Sequence, residues 1–143
     1  VVASGLLTAP GARSIDSPAA DLASQTGSVR GSARVANFGV DQPAFITVGP
    51  QVSMREGPYA IVVRYRSSAP PDATIGRLEL ADAATNTVLR TKELTGRLNE
   101  ATQIVDTFAY RSLTPQVLEV RVAWYGTGAL AVDSVGVRHG DRS

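Results

Sequence analysis

Apolar and polar residues alternate along much of the chain from residue 29 onward, in short runs broken by glycine, proline, asparagine or aspartate. A period of two puts successive side chains on opposite faces of an extended backbone, so each run reads as a half-buried strand. In one run Tyr59, Ile61, Val63 and Tyr65 share a face, with Arg64 and Arg66 on the other. In another, Leu118, Val120, Val122 and Trp124 oppose Glu119, Arg121 and Tyr125. Further strands are predicted over 29–36, 44–48, 51–54, 75–81, 87–94, 103–110 and 131–137, and no stretch carries an apolar three–four repeat of helical length. The expected fold is therefore all-β, a two-sheet antiparallel β-sandwich.

The punctuation between runs predicts connections. Residues 82–86 lie between two strands as a five-residue hairpin loop, and Pro70-Pro71 ends the strand before it because proline cannot donate to a ladder. Gly126-Thr127-Gly128 supplies residues that take positive φ, and we read the strands on either side of it as a closing antiparallel pair. Residues 1–27, rich in Ala, Ser, Gly, Pro and Thr, read as a linker or lead-in, with either coil or a short helical turn at 18–23 capped by Ser17. The sandwich is expected over 28–139, with a tail at 140–143.

Composition narrows the function classes. Fourteen basic residues, Lys92 the only lysine, stand against 13 acidic ones, a formal net charge of +1 with no basic block, so a nucleic-acid surface is not expected. There is no cysteine, hence no disulfide and no thiol chemistry. No apolar run reaches the ~20 residues of a spanning helix, and the start at Val1 suggests a processed protein or a domain cut from a longer one.

Catalytic motifs are missing. His139, the sole histidine, sits beyond the last predicted strand and reads as a solvated residue. No G-x-S-x-G elbow, phosphate loop or dinucleotide fingerprint occurs, and the carboxylate pairs Glu79/Asp82 and Glu93/Glu100 have ordinary surface spacing. The chain is not expected to be an enzyme. Asp133 shares the strand parity of Val135 and Val137 and would point inward, where a charge needs a partner: calcium, an arginine, or a turn donor. Trp124 reads as core, Tyr125 as the exposed ring beside the glycine turn, and the roles of Phe38 and Phe45 stay open.

Gly57-Pro58-Tyr59 with its following strand, then Gly76-Arg77-Leu78-Glu79-Leu80, Val88-Leu89, Leu118-Glu119-Val120-Arg121-Val122 and Ala131-Val132-Asp133-Ser134-Val135 together resemble jelly-roll carbohydrate-binding modules of families six and thirty-five, over about residues 21–138. That resemblance implies a structural calcium held by Asp133 and, more loosely, by Asp21, and a glycan partner; in this chain Tyr125 is expected to stack on the sugar ring while Asn99, Gln103 or nearby backbone groups hydrogen-bond its hydroxyls. The aromatic and amide side chains that such modules place before the strand at Gln103 and before the final aspartate are absent here. A looser resemblance, to extracytoplasmic sandwich domains of bacterial membrane glycosyltransferases, implies an extracytoplasmic, cell-envelope location. The function expected is a non-catalytic glycan-binding module of an exported or membrane-anchored bacterial protein. The alternative is a structural or protein-interaction sandwich that binds no sugar.

Overall fold

The structure, a computed structural model, describes residues 14–96, 102–111 and 116–139. Among the described residues ten strands form two antiparallel sheets. In chain order they are β1 (Ser14–Pro18), β2 (Ser28–Arg30), β3 (Ala33–Ala36), β4 (Ala44–Met54), β5 (Gly57–Ser67), β6 (Thr74–Asp82), β7 (Val88–Thr95), β8 (Thr102–Tyr110), β9 (Gln116–Trp124) and β10 (Leu130–His139). One sheet has six strands in the order β2-β3-β10-β5-β8, with β1 also on β10; the other is β4-β9-β6-β7.

The core lies between them, and the predicted apolar faces supply it. Ile61, Val63 and Tyr65 from β5 meet Leu118, Val120, Val122 and Trp124 from β9, with Leu78 and Leu80 from β6, all at most 1% exposed. The hairpin over β6 and β7 is formed as expected, Asn86 taking φ 62° in its turn. The run at 29–36 is a tight hairpin rather than one strand: Gly31, at φ 61°, folds β2 back on β3. The runs at 44–48 and 51–54 join into one bulged edge strand, where Pro50 is tolerated because one side of the strand needs no donor.

Three expectations are corrected by the topology. Strands β9 and β10 do not pair: β9 lies between β4 and β6, β10 in the other sheet, and Gly126-Thr127-Gly128 arches from sheet to sheet. A Cβ on Gly126, at φ 85°, would sit 2.7 Å from Pro43 Cγ, so the arch needs glycine there. The lead-in is built into the sandwich from Ser14 onward: β1 pairs with β10 and Ala19 is fully buried in a single 3-10 turn, Ala19–Asp21, which has Pro18 at its N-cap position and no side-chain cap from Ser17 or any other residue. His139 ends β10 instead of lying past it, its ring edge-on to Tyr59 at 5.1 Å.

Both open sides of the sandwich are closed. On one, residues 22–26 run from the six-stranded sheet to the outer edge of β4, where Ala23 bridges Val48 and the Gln25 amide donates to the Phe45 carbonyl. On the other, β7 and β8 are linked across the gap: Arg90 donates to both oxygens of Asp106, at 2.9 and 2.7 Å, and Lys92 to the Val105 carbonyl at 3.1 Å.

Candidate functional site

Because Leu118, Val120, Val122 and Trp124 face inward, the alternate residues of β9 form the outer face of the four-stranded sheet. The register sets them in rows. Phe45, Ala123, Arg77 and Glu93 lie side by side, then Val48, Arg121, Glu79 and Thr91, then Gln51, Glu119, Ala81 and Val88. Two arginines and three glutamates thus share one face, a charge balance that disfavours a polyanion.

Charged residues two apart on a strand point the same way, and here they couple. Arg77 donates to Glu79 through Nε at 2.9 Å and Nη2 at 2.6 Å, and Arg121 Nε donates to Glu119 at 2.8 Å. Gln51 Nε2 donates to the other Glu119 oxygen at 3.0 Å. These partners restrain the side chains, and Glu79 is only 4% exposed although it lies on an outer face.

Two aromatic rings stand on this lattice. Tyr125, just past the end of β9 and half-buried, donates its hydroxyl to Glu93 at 3.0 Å. Arg77 lies 5.8 Å from the centre of its ring, and Arg121 lies 5.6 Å from the centre of the Phe45 ring. Burial, followed by the hydrogen bond to Glu93, raises the pKa of the Tyr125 phenol above its ordinary value. The bond from Arg77 to Glu79 likewise raises the pKa of Arg77. Around the rings lies a depression of about 440 Å³, with Ala123 on its floor and Gln25, Pro43, Phe45, Arg77 and Tyr125 around it. The glycine arch fixes its rim: Trp124 Nε1 donates to the Gly128 carbonyl at 2.9 Å and Thr127 Oγ1 to the Thr74 carbonyl at 3.1 Å.

Only part of the site expected from sequence is assembled here. Tyr125 lies on this face, but Gln103 lies on the outer face of the six-stranded sheet, with the parity of exposed Val105 and opposite that of Asp106, so the two are not brought together. Asn99 lies outside the described residues. Sequence alone gives Arg77 and Arg121 no site role, leaves the role of Phe45 open, and sets Glu93 aside with Glu100 as ordinary surface spacing. The signal for the charged pairs was present, since Arg77/Glu79 and Glu119/Arg121 have the i, i+2 spacing of one strand face. Phe45 gave none, because it precedes a bulge.

The calcium ligands implied by resemblance fare differently. Asp133 does not point inward. A bulge between Val132 and Ser134 reverses the parity, so that Val132 and Val135 both enter the core and the Asp133 carboxylate, 36% exposed, lies 4.0 Å from Arg66. Asp21 is exposed at the end of the 3-10 turn. Among the described residues no three Asp, Glu or His side chains are grouped to hold a metal. Calcium collects six to eight oxygens, and these residues do not fit it.

No family model matches the sequence, and no curated protein matches it. Solved structures do. A family 35 carbohydrate-binding module from Cellvibrio japonicus superposes with a TM-score of 0.61 at 16% identity, covering 87% of this chain and 91% of that one. The C-terminal family 6 module of a laminarinase from Zobellia galactanivorans gives 0.53 at 17%, covering 87% and 98%. A family 6 module of the lichenase 5A from Cellvibrio mixtus, solved with cellotriose, gives 0.52 at 16%, covering 87% and 95%. At such identities the likeness is one of fold: the chain has the sandwich of these modules.

Proposed function

We propose that this domain is a non-catalytic glycan-binding module and that it holds its ligand on the outer face of the four-stranded sheet. The observation that carries the reading is the pairing of two rings, Tyr125 and Phe45, with the restrained arginine–glutamate pairs beside them. A sugar ring presents C–H groups on its faces and hydroxyls at its edge, so it needs an aromatic surface flanked by groups that both donate and accept. Arginine donates, glutamate accepts, and each fixes the other before the ligand arrives. The near balance of charge favours a neutral glycan. The fold shared with carbohydrate-binding modules supports the class; an extracytoplasmic setting, and service as an appendage of a cell-envelope glycosyltransferase, extend the same reading by resemblance.

The test is retardation of the domain in gels containing soluble β-glucan, xylan, galactan or arabinan, followed by titration calorimetry with oligosaccharides of any polymer that retards it. Tyr125→Ala and Phe45→Ala should each weaken binding about tenfold, the loss of one stacking contact, while Gln103→Ala on the opposite face should bind as wild type. Retention by no polymer, or binding indifferent to both aromatic substitutions, would reject this face and favour a structural or protein-interaction sandwich.

A further inference from the structure

Arg34 stands between the two segments that a calcium ion was expected to join. On β3 it is the cross-strand partner of Val132, the residue before Asp133, and shares that residue's inward direction. Its Nη2 donates at 3.0 Å to the carbonyl of Leu22, the residue after Asp21. Its Nε is buried without a hydrogen-bond partner. A guanidinium therefore reaches from the inner face of the six-stranded sheet to the strap 22–26 that crosses to β4, and it joins the neighbourhoods of Asp133 and Asp21 directly.

We infer that this chain fastens its strap with the guanidinium of Arg34 in place of a calcium ion. A cation that organises a crossing segment works by drawing carbonyl oxygens inward, and a guanidinium, with five N–H donors and a permanent charge, does the same. The two solutions exclude each other at close range. A fixed positive charge repels a divalent ion, and an N–H donor facing the interior offers it no ligand. The outward turn of Asp133 at its bulge, toward Arg66, follows the same logic, since an inward carboxylate has no metal to meet. The strap carries Gln25 to the rim of the depression on the four-stranded sheet, but the inference is tested apart from the glycan reading, because its readouts are the melting midpoint and amide exchange and not binding.

The test uses the whole 143-residue chain. Its thermal midpoint should be the same in EDTA and in millimolar calcium chloride, and a calcium-dependent rise would overturn the inference without any variant. Arg34→Met should lower the midpoint by roughly 3–8 °C and speed amide exchange at Gln25 and Val48, whose N–H groups hold the strap to β4, leaving exchange in the middle of β6 and β9 unchanged. Arg34→Lys, which keeps the charge but replaces the planar fork by a single ammonium nitrogen, should fall between. An Arg34→Met chain with the wild-type midpoint and exchange, or an Arg34→Lys chain no better than Arg34→Met, would overturn it equally.

Discussion

Trp124→Ala should destabilise the domain by about 3–5 kcal/mol, the range for deleting a large buried aromatic. Trp124 is 1% exposed, is the largest fully buried side chain among the described residues, and packs in a core shared by both sheets. It also carries a second task, since its Nε1 donates to the Gly128 carbonyl and so holds the arch that passes from β9 to β10. Trp124→Phe separates the two. It keeps much of the volume, loses the hydrogen bond, and should cost about 1–2 kcal/mol less than the alanine change. Urea unfolding followed by far-ultraviolet circular dichroism measures both, and similar midpoints for wild type and Trp124→Ala would show that this ring does not anchor the core. A domain of this size has about 5–15 kcal/mol in total, so the alanine change removes a large share of it.

At the opposite side of the sandwich, removing Arg90 should cost more than removing Asp106. The asymmetry follows from exposure. The side chain of Asp106 is 9% exposed while that of Arg90 is 40% exposed, and the guanidinium also lies over the Phe108 ring at 4.7 Å from its centre. Arg90→Met strands a nearly buried carboxylate, a penalty of about 2–3 kcal/mol, whereas Asp106→Leu leaves an arginine that can turn to water and should cost about 1 kcal/mol after allowance for solvent screening. The double variant should be close to Asp106→Leu, because an apolar pair leaves no orphaned charge. Equal losses for the two single changes, measured in the same unfolding experiment, would contradict this account.

How far the sequence could be read depended on which physical relation was asked for. Parity along a strand is local, and it identified the core faces of β5 and β9, the buried Trp124 and the outward Tyr125. Which strands lie side by side is not local. The arch at Gly126–Gly128 has the residues of a hairpin turn and yet separates β9 from β10, because nothing in those three residues distinguishes a return within a sheet from a crossing between sheets. Asp133 shows the same limit on a smaller scale: a single extra residue at a bulge turned an inward reading outward, and with it the expected metal site. The binding face was half legible for this reason. Arg77 and Glu79 show their common side in the sequence, but the juxtaposition of Phe45, Ala123 and Arg77 arises only when β4, β9 and β6 are aligned.

The pairing of β1 with β10 has a mechanical meaning. Ser14 lies opposite Arg138, so the two described ends of the domain emerge side by side at one margin of the six-stranded sheet. Tension applied through both ends would load the hydrogen bonds between these strands one after another, like the teeth of a zipper, instead of all at once in shear. The first strand should peel away under a modest pull and lengthen the tether by a few residues, while β10 stays clamped by β5 on both sides of its bulge.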